Sequence, residues 1–163
     1  MRTGIGYDLH ILGEGETLVL GGVKIDFRKG LVGHSDADVP VHALCDALLG
    51  AAALGDIGKH FPDTDKEYRN ISSITLLEEV NRKLKDEKYE VNNIDITIVC
   101  EEPNLSSYID KMRGNMSAAL IIPKNDISIK VTTNEGVGPE GRGEAISATA
   151  VVTIIPTAGY ENV

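Results

Sequence analysis

The stretch from Asp38 to Leu54, DVPVHALCDALLGAAAL, sets the strongest limit on how this chain can fold. It opens on acidic residues, carries Pro40 where a first helical turn would lie, and meets Gly55 where a helix would stop. Ala43, Leu44, Ala47, Leu48, Ala51 and Ala52 fall on one side of the predicted helix, giving it an apolar face rich in small residues.

Around this helix the periodicity alternates between two and 3.6. TGIGYDLHIL is a β-rich opening, and ETLVLGGVKI reads as two short strands turning at Gly21-Gly22. A second helix is predicted after Ser72 or Ser73, because Ile74, Leu77, Val80 and Leu84 recur at helical spacing. Ile94, Ile96, Ile98 and Cys100 alternate with Asp95, Thr97 and Val99 and predict a strand. A third helix is marked by Leu105, Tyr108, Ile109, Met112, Met116 and Leu120, closed by Pro123. Strands are predicted over Ile127–Val131 and Ile146–Ile155. This order predicts an α+β fold, a mixed β-sheet with helices packed on one face. No repeat or linker interrupts it, so residues 1–163 read as a single domain.

Charge narrows the function. Lys plus Arg number 16 against 25 Asp plus Glu, a net charge of −9. A general nucleic-acid binder carries a basic surplus, so that class is disfavoured. No apolar run reaches bilayer length and the N-terminus lacks a signal core, which predicts a cytoplasmic protein without membrane contact. Two cysteines, Cys45 and Cys100, make no disulfide framework and read as buried reduced thiols.

The chemistry-bearing residues cluster in three places. Asp8 and His10 sit two apart on an extended segment and point to one side. His42 lies in the first helix, with Asp38 and Asp46 one turn before and after it. Two histidines and a carboxylate are a common zinc set that leaves a fourth position for a substrate oxygen. GDIGKHFPDTD reads on spacing alone as a helix exit followed by turns. In TTNEGVGPEGRGE, the Thr132 and Thr133 hydroxyls and the Arg142 guanidinium suit phosphate, and a flexible loop is an equal reading. On these residues alone a zinc-dependent phosphoester hydrolase and a non-catalytic zinc assembly module also stand. Ligation by Cys45 would favour the latter, because structural zinc sites are closed and rich in Cys.

Taken together, GIGYDLH, HSDADVPVHALCDALLGAAALGDIGKHFPDTD and TTNEGVGPEGRGE resemble the 2-C-methyl-D-erythritol 2,4-cyclodiphosphate synthase family, in order and spacing across nearly the whole chain. The resemblance implies a lyase of the non-mevalonate isoprenoid pathway. Its substrate would be 4-diphosphocytidyl-2-C-methyl-D-erythritol 2-phosphate, cyclised with release of CMP, and its assembly a homotrimer with active sites between subunits. It places zinc on Asp8, His10 and His42, and a magnesium or manganese ion partly on Glu135. It credits His34 and Thr133 with stabilising the transition state and puts Ser35 at the phosphates. Asp46, Asp56, Ile57, Gly58, Phe61, Pro62, Asp63, Thr64, Asp65 and Arg142 fall to the substrate, with Asp46 either touching its hydroxyls or orienting His42. The cytidine pocket maps to Cys100, Glu101, Glu102, Pro103, Asn104, Leu105 and Ser106, and to Thr132 and Asn134. Asn104 stands where the family commonly has Lys, Gly136, Val137 and Pro139 stand for Lys, Leu and Phe, and Ala145 stands for Gly.

Overall fold

In a computed structural model of the protein, residues 1–33, 35–62 and 71–157 are described. Four strands come first: β1 (Arg2–Glu14), β2 (Leu18–Leu20), β3 (Val23–Ile25) and β4 (Lys29–Leu31). Helices α1 (Val39–Ala51), α2 (Ile57–His60) and α3 (Ser73–Asp86) follow, then β5 (Tyr89–Val99) and α4 (Ile109–Leu120). The chain closes with β6 (Ile127–Thr132), α5 (Gly138–Gly141) and β7 (Ala145–Pro156). The main sheet has the order β4-β1-β7-β5-β6, and β2-β3 is a separate hairpin. β5 and β6 run parallel and the other neighbours antiparallel, so the sheet is mixed as predicted.

Contact between α1 and β1 determines the architecture. Gly4 and Gly6 face the helix from alternate positions of β1. A Cβ on Gly4 would lie 1.9 Å from the Ala47 carbonyl oxygen, and one on Gly6 would lie 2.0 Å from that of Ala43. The helix backbone thus rests directly on the strand, and the small-residue face is the reason it can. Ala43, Leu44, Ala47 and Leu48 are fully buried there. α1 also packs on β7 and α3, and α3 packs on α4 and β5. Ile94, Ile96, Ile98, Ala148, Ala150 and Val152 supply the sheet's side of the core.

A carboxylate locks the start of α1. Asp38 caps the helix and is wholly buried. It accepts the N–H groups of Gly21 (2.8 Å) and Gly22 (2.6 Å) at the hairpin turn, that of Val41 (3.3 Å), and the Ser73 hydroxyl (3.1 Å). Gly21 and Gly22 hold φ of +59° and +68°, which aims both N–H groups inward. Asp36 accepts the Ser73 N–H (2.9 Å) and joins the α3 start to the same cluster. Asp38 therefore faces the hairpin and not His42, contrary to the expected shared helix face.

Most elements match expectation in kind and differ in extent. α1 ends at Ala51, because Ala53 turns to φ +61° ahead of Gly55. α4 begins at Ile109, four residues later than the apolar spacing suggests, because Leu105 and Tyr108 close a preceding turn through Tyr108 N–H to Leu105 O at 2.9 Å. Three short elements carried no periodic signal: β4, α2 and α5.

Two outcomes follow for stability. Gly6→Ala should cost at least the ~1–3 kcal/mol of an overpacked core, because the atom it strikes is backbone and cannot rotate away. Gly50→Ala, on the exposed side of the same helix with nothing within 4 Å of the new Cβ, should gain ~0.5–1 kcal/mol. Thermal unfolding of the two variants checks both signs. Burial pushes the Asp38 carboxyl up to about 6, with the Gly22 and Gly21 N–H groups opposing and the Asp36 charge adding to the rise. A carboxyl that holds its proton more tightly when folded stabilises fully below its unfolded value near ~4 and loses that contribution as pH rises through the folded value. Asp38→Asn cannot ionise, so its melting temperature should gain on the wild type between pH ~4 and ~7. A constant gap across that range would contradict the raised value.

Candidate functional site

Asp8 and His10 continue along β1 on the face that carries Gly4 and Gly6, toward the start of α1. The close helix–strand contact therefore brings His42 down onto them. His42 Nδ1 lies 3.1 Å and His10 Nε2 3.3 Å from Asp8 Oδ2, with the imidazole rings 5.8 Å apart between centroids. One ligand atom from each of Asp8, His10 and His42 falls within 4.8 Å of the other two. All three side chains are partly buried. Burial raises the Asp8 carboxyl, but hydrogen bonds and charge from His10 and His42 outweigh it and hold the group well below the usual carboxylate range.

The outer nitrogens decide whether this set fits a metal. His10 Nδ1 is 2.9 Å from the Val32 carbonyl oxygen, so it carries the proton and turns the Nε2 lone pair inward. His42 Nε2 is 3.1 Å from Ser35 Oγ, which directs Nδ1 inward when Nε2 is the protonated nitrogen. Each imidazole is thus oriented by a second partner, as metal-ligating histidines usually are. An O, N, N donor set of this kind suits zinc with one position left for an exogenous ligand. Cys45 takes no part: it is wholly buried in the core, and burial drives its thiol well above the ordinary range.

At the same end of the sheet lie the segments expected to hold the nucleotide. Leu9, Ser147, Val99 and Thr132 form one row across β1, β7, β5 and β6. Because β5 and β6 are parallel, their carboxyl ends open side by side, a usual place for a ligand. Cys100 N–H donates to the Thr132 carbonyl at 2.9 Å and ties the two loops together. Cys100 Sγ donates to Glu102 O at 3.2 Å, and Ser106 N–H to Asn104 Oδ1 at 2.9 Å, so 100–106 curls on itself. Cys100 and Leu105 are buried as anchors, while Glu102, Asn104 and Ser106 are exposed. On the facing loop Thr133 Oγ1 donates to Glu135 Oε1 at 3.3 Å, and Glu135 holds φ +50°.

Residues 1–155 match the YgbB family. The chain belongs to that family. It is 56% identical over 154 residues to the 2-C-methyl-D-erythritol 2,4-cyclodiphosphate synthase of Alkaliphilus metalliredigens, covering 94% of this chain and 97% of that one. It is 53% identical over 155 residues to the synthase of Clostridium acetobutylicum, covering 95% and 100%. Among solved structures, a CDP complex of the Plasmodium falciparum enzyme superposes with a TM-score of 0.84 at 33% identity, covering 96% of each chain. The bifunctional IspDF of Campylobacter jejuni gives 0.90 at 40% identity, and this chain covers 94% of itself but only 42% of that larger protein.

The remaining expected residues scatter. Asp46 does not orient His42, because Asp8 and Ser35 meet that ring's two nitrogens. Asp46 Oδ1 instead accepts the Ile57 N–H at 2.7 Å. Asp56 caps α2 through Lys59 N–H at 2.9 Å, with Gly58 exposed beside it. Phe61 is buried in the core cluster, and Pro62 is exposed next to it. Arg142 is exposed and doubly bonded to Glu144 at 3.0 and 2.8 Å, a pair in water that exchanges readily for another anion. Asn134 Nδ2 lies 3.5 Å from Glu140 Oε2. His34, Asp63, Thr64 and Asp65 lie outside the described residues.

Sequence reasoning missed Val32, whose carbonyl orients His10, and no side-chain pattern announces a carbonyl. It also missed Glu140, a buried carboxylate that accepts the Ser147 hydroxyl at 2.8 Å beneath the 133–143 loop. A lone Glu in a Gly-rich stretch reads as solvated. If Ser35 orients His42, Ser35→Ala should weaken zinc retention ~10–100-fold, and Ser35→Thr should restore most of it. Competition with a chelator measures this, and unchanged retention would confine Ser35 to another role.

Proposed function

We propose that this chain works as a 2-C-methyl-D-erythritol 2,4-cyclodiphosphate synthase through the site just described. The observation that carries the reading is the convergence of Asp8, His10 and His42 at the end of the sheet where β5 and β6 open. Zinc would sit on those three residues, and magnesium or manganese on Glu135 together with the substrate phosphates, a usual mode for a hard cation. When bound, the cations supply charge neutralisation and Lewis acidity for an in-line phosphoryl displacement.

The chain's own task is then positioning. The 2-phosphate oxygen attacks the β-phosphorus, the bond from that phosphorus to the CMP oxygen breaks, and CMP leaves. An anionic phosphate oxygen needs no strong base, so the barrier lies in charge repulsion and ring closure. Ser35 Oγ accepts from Ala37 N–H at 3.3 Å and faces His42 Nε2, which leaves its own hydroxyl proton for a phosphate oxygen. Thr133 presents a second hydroxyl, and its bond to exposed Glu135 is exchangeable. Arg142 can trade Glu144 for phosphate, and by the family resemblance His34 would stabilise the transition state together with Thr133. The 100–106 loop with Thr132 and Asn134 would take the cytidine, Asp56 to Gly58 would meet the erythritol or ribose portion, and 61–65 would belong to the substrate loop, with the Phe61 ring anchored in the core.

Two features support a homotrimer with sites between subunits. Within one chain Leu9 and Thr132 are three strand spacings apart, roughly 14 Å. A neighbouring subunit would supply the nucleotide half to a given metal half. The sheet face opposite the helices exposes Ile5 (71%) and Tyr7 (57%), an apolar surface that assembly would cover. Thr97, Lys130, Thr132, Thr149 and Thr153 share that face by register. The chain acts as one domain over 1–163, without nucleic acid or membrane partners. Among the described residues no helix is long and apolar enough to cross a membrane.

Incubation of the purified protein with the cytidine-linked substrate should yield CMP and a cyclic diphosphate by mass, and a chelator should abolish both. A ring-opened product would favour the hydrolase. Sedimentation should give a trimer, and an active monomer would overturn the shared site. Thr133→Val keeps the β-branched shape and should lower kcat more than it raises KM, by less than the ~2.7–4 kcal/mol of a lone oxyanion donor. A raised KM with unchanged kcat would make Thr133 a ground-state contact.

A further inference from the structure

We propose that Asp46 is a positioning residue that holds Asp56, Ile57 and Gly58 beside the metal ligands by accepting the Ile57 backbone N–H. The inference rests on the reading that this strip touches substrate. Asp46 Oδ1 accepts that N–H at 2.7 Å, the short end of the range for N–H···O bonds. The strip needs a tether. α2 has only four residues, far below the length at which a helix stands alone. Its cap residue Asp56 is exposed, and α2 itself has no buried residue. Phe61 N–H bonds to Ile57 O at 2.9 Å and the Phe61 ring enters the core, which anchors the far end. Asp46 anchors the near end.

The tether also sets a distance. Asp46 follows His42 by four residues on α1, so the two side chains share a face about 6 Å apart along the axis. The helix that carries a metal ligand thereby also places the Asp56 strip. An acceptor, not a charge, is what the position uses. Burial raises the Asp46 carboxyl and the Asp56 and Asp8 charges add to the rise, while the Ile57 N–H and His42 work against it. A second negative charge facing a phosphorylated substrate would also repel it.

Asp46→Asn keeps an acceptor oxygen in place, whereas Asp46→Ala removes it. Three quantities are read: hydrogen exchange at the Ile57 amide, zinc content, and kcat with KM. Asp46→Asn should keep Ile57 protection and KM within about threefold of wild type. Asp46→Ala should speed Ile57 exchange and raise KM, each about tenfold, with kcat and zinc content near wild type. If Asp46→Ala fails to fold, Asp46→Glu serves, since it keeps the charge and displaces the acceptor; it should behave as the Ala variant was expected to. Asp46→Asn as damaging to KM as Asp46→Ala would show that the charge acts on substrate and would overturn the proposal. Zinc loss in Asp46→Asn would overturn it in favour of a metal-orienting role, and so would unchanged Ile57 exchange in Asp46→Ala. If the wild type turns over no cytidine-linked substrate, the functional reading fails, and the Ile57 exchange still decides the positioning claim.

Discussion

The direct seating of α1 on β1 is the contact on which the rest of the molecule depends. Two glycines on one face of the strand admit the carbonyls of Ala43 and Ala47 to distances no Cβ would allow. Side chains usually hold a helix and a sheet apart, and here backbone meets backbone. The same strand face then changes character within two residues. Where Gly4 and Gly6 bring the helix in, Asp8 and His10 meet what it carries, and what it carries at that height is His42. The metal set is thus a consequence of packing as much as of ligand chemistry. A helix held one side-chain layer further out would lift His42 away from Asp8.

Asp38 makes the arrangement durable from the other end. A wholly buried carboxylate is costly unless its oxygens are met. Here hairpin, helix start and α3 start each donate to it, so three segments distant in sequence must be in place together. Ser35 and Ala37 lie in the short run leading into this cap, which fixes where the Ser35 hydroxyl meets His42. Asp36 and Asp38 face inward to hold the fold, while Asp46 faces outward along α1.

Much of the fold was open to reading because its long elements repeat. The strand 94–99 alternates cleanly, and α3 shows its apolar spacing, so their existence and faces were apparent. β4, α2 and α5 span only three or four residues each, too few for a periodic burial pattern to show, and no local pattern reveals them. The convergence of Asp8, His10 and His42 was readable for a different reason. Asp-x-His on a strand fixes two side chains to one face, His42 on the first helix offers a third donor, and the family resemblance joins the three in one site. The role of Asp46 was not readable. Spacing places it near His42 on the helix surface, but side-chain direction and the return of the chain at Ile57 decide which neighbour it meets, and the second is a tertiary fact.

An acidic chain that handles a multiply anionic substrate looks self-defeating, yet many of its carboxylates are paired or sealed away from the site. The Asp8 carboxylate is bonded to two imidazoles, the Asp36 and Asp38 carboxylates accept from backbone and Ser73, and Glu140 is sealed under its loop. Glu144 is matched by Arg142, and Asp95 by Lys130. What faces outward at the proposed site includes the Thr133 hydroxyl and the exposed Glu135, Asp56 and Glu102 carboxylates. A carboxylate that recruits a cation turns local negative charge into attraction for phosphate. Net charge therefore says little about this ligand, and the local inventory at the ends of β1, β5 and β6 says a great deal.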